Sequence, residues 1–333
     1  MKKITYLLKR IIKLDYSNMF KICKSISKKT KKNRVLLFFD MIYCGLVYQA
    51  GYYDYQEFEF YNLNKNERKT YLTRGKNNEI VKRFNNKDYF DKFEDKVKFN
   101  KIFSKFIKRA WMYLENNNVD EFVSFFKEHP SIIVKPVDAS GGKGIEKFEF
   151  VNEDETRKLY NQLVENNQLL VEECIKQHST MDSLYDKSVN TLRMFTFIKD
   201  GTPYFLQAIL KIGNGGVVDN FSSGGMYTYI DENGTVFVEA IDQADNIFYN
   251  HPISNTQIVG FKVPMFKEAV ELVKEASKVV PEVAYVGWDV AISEDGPELI
   301  EGNCFPGVFQ VKSSLSNKKE GLIPKYNEIM KIF

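Results

Sequence analysis

The sequence predicts an α+β protein, with a helical, aromatic-rich front followed by a module rich in antiparallel strands. Two observations predict it. Upstream of residue 127, apolar residues recur mostly at helical spacing, as in LLFFDMIYCGLVYQAGY over 36–52. From Ser131 onward, short alternating runs bounded by turn residues take over, the two-residue period of strands. No internal repeat or low-complexity linker interrupts either part.

The 333 residues, 44% hydrophobic and 27% charged, are ordinary for a soluble globular protein. Cys23, Cys44, Cys174 and Cys304 form no C-x-x-C pair and only three histidines occur, so neither zinc nor a disulfide framework is expected, and a reducing cytoplasm fits. No run reaches about 18 uninterrupted apolar residues, the length a membrane-spanning helix needs.

Charge is uneven. Residues 1–34 carry twelve Lys or Arg against one acid, Asp15, whereas the other 299 residues carry 35 basic and 43 acidic side chains. Within this basic arm Ile4, Leu7, Leu8, Ile11 and Ile12 fall at helical spacing between Lys3, Lys9, Arg10 and Lys13. That pattern suits a helix lying on an anionic membrane, and equally a helix docked on its own protein with its lysines in water. The basic residues break the apolar run, so it does not read as a signal peptide. Nucleic acid is a weaker third reading and is not an expected partner.

Along the front, the apolar helix ends near Gly51, DYQEFEFYNLN leads to a capped segment NERKTYL, and helical texture continues through KNNEIVKRFN to the asparagine turn at 116–118. Its many aromatics read as core. Beyond it, strands are expected at IIVKP, IEKFEF, LLVEECI, NTLRMFTFI, PYFLQAILKIG, GGMYTYID, VFVEAI, VGWDVAIS and PELIEGN, with helices over 153–166 and 264–280. The expected division is a basic arm at 1–34, a helical domain at 35–127 and the strand-rich module at 128–333.

The stretch KPVDASGGKGIEKFEF joins two of these strands. Glycines beside a lysine suggest phosphate, because glycine lets backbone N–H groups approach an anion closely. Neither G-x-x-x-x-G-K-[ST] nor G-x-G-x-x-G fits, and the chain resumes as a strand rather than opening a helix, so Gly141, Gly142, Lys143 and Gly144 read as a hairpin tip. Near the other end, VGWDVAISEDGPELIEGN forms two strands around a turn, letting Asp289 face Glu301 while the strand period puts Glu301 and Asn303 on one face. Such oxygen ligands suit Mg²⁺ held jointly with nucleotide phosphates, although on their own they are more often a solvated face. Between these sites, LLVEECI ends in Glu172 and Glu173, where backbone groups could meet an adenine edge. Arg193 sits in the middle of its strand with a fork suited to phosphoryl oxygens, and KIGNGGVVDNFSSGG supplies Lys211, Asn220 and a second glycine pair, Gly224 and Gly225.

In that order, these motifs resemble the ATP-grasp superfamily over residues 131 to about 310, closest in pattern to the ligases that add glutamate to a ribosomal protein. The front departs from those ligases. Its DYQEFEFYNLN, NERKTYLTRG and KFNKIF…RAW phrases resemble the sugar-transfer-associated ATP-grasp branch, linked to cell-surface polysaccharide synthesis. The resemblance implies an ATP-grasp fold, two α+β subdomains (128–175 and 176–333) gripping ATP and Mg²⁺, preceded by the helical region. It also implies roles. Lys135, and Lys96 or its neighbour Lys98, reach the phosphates; Ser140 to Gly144 form a lid; Glu172, Glu173, Cys174 and Ile175 form the adenine hinge, with His178 either touching the ribose or capping a loop. Arg193, Lys211 and Asn220 serve catalysis, and Asp289, Glu301 and Asn303 bind magnesium.

The implied reaction is amide formation by a carboxylate–amine ligase, through an acyl phosphate and with ADP and phosphate released. The substrate would be a small-molecule or lipid-linked sugar or amino-acid precursor. A phosphotransferase and a non-catalytic, nucleotide-binding scaffold for a glycosyltransferase are the alternatives. The expected location is the cytoplasm, with a peripheral contact to the inner face of the membrane through residues 1–34.

Overall fold

The computed structural model describes residues 15–137, 144–316 and 318–333. They form two compact units. One comprises the described residues up to Arg83 together with Gly307–Phe333, and the other comprises Phe84–Pro306.

The first unit opens with α1 (Tyr16–Thr30), which starts where Asp15 accepts from the Asn18 amide and ends at Lys31 in the left-handed conformation. Asn33 caps α2 (Arg34–Val47) by accepting from the Val35 and Leu36 amides. Met19, Ile22, Cys23 and Ile26 of α1 and Leu37, Met41 and Cys44 of α2 are buried, at the three- and four-residue spacing of a helix face. Three shorter helices follow: α3 (Tyr52–Glu57), α4 (Lys65–Thr70) and α5 (Arg74–Phe84). A capping box between Asn64 and Glu67 fixes the start of α4. That places Arg68 so that its guanidinium donates to both oxygens of Asp40, at 2.8 and 2.7 Å, and to the Phe60 carbonyl, while the Tyr55 hydroxyl donates to the same carboxylate.

The second unit holds both sheets. In chain order it contains α6 (Asp91–Glu94), α7 (Lys96–Ile102), β1 (Trp111–Tyr113), α8 (Val119–Glu128), β2 (Ser131–Lys135), β3 (Glu146–Glu149), α9 (Glu153–Glu165) and β4 (Leu170–Glu173). Next come α10 (Ser179–Asp182), β5 (Leu192–Lys199), β6 (Thr202–Ile212), β7 (Met226–Ile230), β8 (Ala240–Asp242), β9 (Ile247–Phe248), α11 (Phe266–Ser277), β10 (Tyr285–Ser293) and β11 (Gly296–Asn303). The smaller sheet runs β1-β4-β2-β3 and the larger β11-β10-β5-β6-β7-β8-β9, with antiparallel neighbours throughout. Ile132, Val134 and Val171 on one face of the smaller sheet pack on Phe122 and Phe126 of α8 and Leu163 of α9. The larger sheet packs Trp288 and Val290 into a core with Phe266, Ala269 and Val273 of α11 and with Phe93, Phe99 and Phe103. The chain then returns to the first unit. There Gln310 exchanges hydrogen bonds with both backbone groups of Leu72 before α12 (Ile323–Met330).

Three expectations change. The boundary expected at 127 falls inside the second unit. Phe103 lies 5.4 Å ring to ring from Phe93 and from Trp288, which commits the helices after residue 84 to the core of the larger sheet. Within the stretch expected to be helical, Trp111–Tyr113 pairs with β4 as an edge strand. The strand expected over VFVEAI is confined to Ala240–Asp242, with Val236 making only an isolated bridge to Ile230.

Phe103→Ala should destabilise the second unit by about 3–5 kcal/mol, since this fully buried ring has three aromatic neighbours and its loss leaves a cavity. Urea unfolding followed by tryptophan fluorescence measures the loss.

Candidate functional site

Most of the singled-out residues converge on one cleft of about 620 Å³ within the second unit. Lys96, Lys135, Glu172, Glu173, Ile175, Arg193, Lys211, Asn220, Asp289, Glu301 and Asn303 all line it. The register of four strands explains the convergence at its charged end. Arg193 on β5 lies opposite Asp289 on β10, which lies opposite Glu301 on β11, and Lys211 on β6 is the diagonal neighbour of Arg193. Alternation puts all four on one face. Arg193 grips both Asp289 oxygens at 2.6 and 3.0 Å, and Lys211 approaches Asp289 at 3.2 Å and Asp219 at 3.6 Å. Gly287 leaves room for this: a Cβ there would sit 2.9 Å from Pro306 Cβ and 3.4 Å from Arg193 Cδ.

Burial by itself would push the Asp289 carboxyl up, but Arg193 and Lys211 outweigh it and hold the group at about 2. Burial likewise opposes the charge of Lys211, yet Asp219 and Asp289 raise its pKa. Glu301 goes the other way. Enclosure by protein and the neighbouring negative charge of Asp289 push it up, although 43% of its side chain is open to the cleft. Asn303 donates from Nδ2 to Glu301 Oε1 at 3.2 Å.

A β-bulge at Ile300 decides what β11 presents. Val290 pairs with Leu299 while Asp289 pairs with Glu301, so Ile300 is the extra residue. Glu298 and Glu301, three apart, would point to opposite faces of a regular strand; across the bulge they oppose Ala291 and Asp289 and share a face. Arg109 takes up this irregularity. Its guanidinium donates to Glu298 at 3.2 Å, to the Leu299 and Ile300 carbonyls at 2.6 and 3.3 Å, and to Glu172 on β4 at 2.9 Å.

Glu172 is the hub at the other end of the cleft. Besides Arg109 it accepts from Asn100 Nδ2 at 2.9 Å and from Lys135. Burial would raise its carboxyl, and Arg109 and Lys135 hold it well below the usual carboxylate range. Lys96 donates to the Pro136 and Val137 carbonyls at 3.1 and 3.2 Å, whereas Lys98 pairs on the surface with Asp91. Of these two lysines, Lys96 is the one that lines the cleft.

The segment expected to meet the adenine is partly tied into the smaller sheet. The amides of Glu173 and Cys174 donate to Ala110 and Ser131 within the sheet, so at these two positions the backbone donors are already engaged. Adjacent strand residues face opposite ways, and the Glu173 carboxylate accepts from the Ala110 amide while that of Glu172 enters the cleft. Cys174 does not line the cleft; Ile175 does. His178 is not there either: its amide donates to Ile292, its Nδ1 accepts from Thr180, and its Nε2 lies 3.5 Å from Glu294, so it caps α10. Ser140, Gly141, Gly142 and Lys143 lie outside the described residues. Gly144, at φ +70°, lies just ahead of β3, and a Cβ there would meet Pro136 Cγ at 2.8 Å. Asn220 lines the cleft where Gly224, at φ +95°, and Gly225 turn the chain, and a Cβ on Gly225 would meet the Asp219 carbonyl at 2.2 Å.

The profile of the sugar-transfer associated ATP-grasp family matches residues 75–331. The chain belongs to this family. Solved structures similar to this ATP-grasp protein include D-alanyl-alanine synthetase A from Vibrio cholerae O1 biovar eltor, at 14% identity and TM-score 0.40 over 72% of this chain and 60% of that one. Another is the ADP complex of purK, N5-carboxyaminoimidazole ribonucleotide synthetase, at 12% identity and TM-score 0.42 over 65% and 46%. A third is the ATP-grasp ligase PsnB with the precursor peptide PsnA2 and AMPPNP, at 11% identity and TM-score 0.41 over 74% and 61%. The ATP-grasp chain thus spans less than two thirds of each of these proteins. No curated protein sequence matches it.

Among the described residues of this ATP-grasp protein, no three His, Cys, Asp or Glu side chains are grouped to hold a metal alone. Asp289, Glu301 and Asn303 nevertheless fit a hard divalent cation shared with phosphates. They offer oxygen donors on one face, and the burial and neighbouring Asp289 charge that raise Glu301 are what a cation there would offset. The sequence reading missed Arg109, Glu298, Asn100 and Asp219. Asp219 adjoins Asn220 in a stretch already singled out, and its carboxylate accepts from the Thr191 amide at 2.9 Å. Asn100 and Arg109 fall within the KFNKIF…RAW phrase that carries the family resemblance, which gave them no role, and Glu298 had no motif to mark it.

The pH dependence of stability should report the Asp289 cluster. Its folded pKa of about 2 lies below its ordinary 3.8, so the stabilisation is full above 3.8 and is lost as pH falls toward 2. Over that window Asp289→Asn should lose ~2 kcal/mol less than the parent, a difference that urea midpoints at stepped pH will read.

Proposed function

We propose that this protein is an ATP-dependent carboxylate–amine ligase acting on precursors of a cell-surface polysaccharide. The observation that carries the reading is the meeting, in one cleft, of lysine and arginine from separate strands with a two-acid, one-amide set. Family membership supports ATP as the phosphoryl donor.

On this reading Lys96 and Lys135 hold the outer phosphates, and Ile175, the first cleft-lining residue past the sheet, meets the adenine. Asp289, Glu301 and Asn303 would hold Mg²⁺, which would supply charge neutralisation for the phosphates. A carboxylate oxygen of the substrate attacks the γ-phosphorus, the bond to the β-phosphate oxygen breaks, and ADP leaves. Arg193 and Lys211 offset the charge on the phosphoryl group in flight, a positioning and electrostatic task. The amine nitrogen then adds to the acyl carbon, phosphate departs and the nitrogen loses a proton. Phe93, Phe99 and Phe305 line the same cleft and keep part of it apolar, which slows hydrolysis of the acyl phosphate.

Supplied with a carboxylate and amine pool, the protein should release ADP and phosphate together with an amide product in the mass spectrum. AMP and pyrophosphate would refute the acyl-phosphate route, and a stable phosphorylated acceptor without any amine requirement would mark a phosphotransferase. Mg·ATP binding without turnover of any pool would mark a scaffold. Glu301→Gln should lower turnover at least ~10²-fold without changing the unfolding midpoint by more than a small amount, because it removes charge at the developing phosphoryl centre. Steady-state ADP release measures it, and near-normal activity would remove Glu301 from this role.

A further inference from the structure

We propose that α1 and α2 form a docking surface for an anionic lipid bilayer, with the exposed apolar face of α2 seated among the headgroups. This inference does not depend on the ligase reading, since it rests on the first unit alone.

Leu36, Phe39, Tyr43, Leu46 and Val47 recur at the spacing of one helix face, and all five are exposed, Leu36 at 70% and Phe39 at 63%. The opposite face of the same helix, Leu37, Met41 and Cys44, is buried, so α2 turns one apolar side inward and a second outward. The outward side continues onto α1. Phe20, 59% exposed, stacks on Phe38 at 4.6 Å, Tyr16 lies 6.3 Å from the same ring, and Phe38 meets Phe39 edge-on at 5.9 Å. A continuous apolar patch of this kind on a described surface marks an interaction site. After Arg34, the helix carries a single ionisable acid, Asp40, and its carboxylate is occupied by Arg68 and Tyr55.

Charge selects the occupant. Lys21, Lys24, Lys28, Lys29, Lys31 and Arg34 are exposed on this helix pair and the turn that joins it, and Asp15 is the one acid in residues 15–34. Two copies set face to face would bring these cations together, whereas anionic headgroups match them and acyl chains match the patch between them. The sequence just before Asp15 repeats the combination, with Ile4, Leu7, Leu8, Ile11 and Ile12 among Lys3, Lys9, Arg10 and Lys13. The geometry suits a helix lying in the plane: α2 has 14 residues, about 21 Å of helix, and no described helix is long and apolar enough to cross a membrane.

The test is cosedimentation of the full chain with phosphatidylcholine vesicles, with and without phosphatidylglycerol. The parent should bind the anionic vesicles and lose binding as salt rises, and L36D/F39D should bind at least about tenfold more weakly with an unchanged unfolding midpoint. In a separate variant, Phe39→Trp, a conservative change at an exposed position, the introduced indole should be quenched by brominated phosphatidylglycerol. Undiminished vesicle binding by L36D/F39D, equal binding to neutral vesicles, or an indole that stays unquenched in the Phe39→Trp variant would overturn the proposal. So would light scattering in which the parent is a dimer that L36D/F39D dissolves without altering vesicle binding.

Discussion

One buried guanidinium holds the working parts of the second unit in relation to each other. Arg109 spans from Glu172 on the four-stranded sheet to Glu298 and two carbonyls on the seven-stranded sheet. Removing such a charge from water costs several kcal/mol, and the cost is met only where partners are numerous and well aimed. Arg109 has two carboxylates and two carbonyls, and of its own three guanidinium nitrogens Nε alone has no hydrogen-bond partner among the described residues. Because Glu172 also binds Lys135, the lysine on the smaller sheet is positioned through the same ion cluster that braces the bulge next to Glu301.

The bulge shows how a local irregularity sets chemistry. Were Ile300 an ordinary ladder residue rather than a bulged one, Glu298 and Glu301 would be on opposite faces, and one of the two ionic arrangements would be lost. With it, Glu298 anchors Arg109 while Glu301 joins Asp289, Arg193 and Lys211 in a row across four strands. Each of the cleft's strand-borne cations, Lys135, Arg193 and Lys211, already has a carboxylate partner. On the ligase reading, nucleotide phosphates would compete with these carboxylates for the three cations, so that ion pairs already present would be exchanged for others.

Much of the site was legible because strand alternation is a local rule. Asp289 opposite Glu301, Glu301 beside Asn303 and Lys135 near the end of its strand all follow from a two-residue period and one turn at 294–296. The strands on either side of the glycine cluster follow the same rule, and β2 and β3 pair antiparallel. Where the reading faltered, the deciding partner lay far off in sequence. Trp111–Tyr113 is a strand because β4 offers it an edge, and His178 faces Thr180 and Glu294 because its amide is drawn to Ile292. The helices of 84–106 belong with the larger sheet because their phenylalanines fill the space around Trp288.

By itself the sequence determined the α+β class, the ATP-grasp resemblance, the oxygen-only character of the Asp289, Glu301 and Asn303 set and the concentration of basic charge at the front. These depend on residue type and on spacings of a few residues, which propensity and alternation translate directly. Tertiary structure alone decided that Arg109 and Asn100 converge on Glu172, that Glu298 turns to the same face as Glu301, and that Lys96 rather than Lys98 lines the cleft. It also decided which face of α2 remains exposed. The physical reason is shared: burial and ion pairing between groups distant in sequence leave no periodic trace in the chain, and a helix that is apolar on both sides does not announce which side will find a partner.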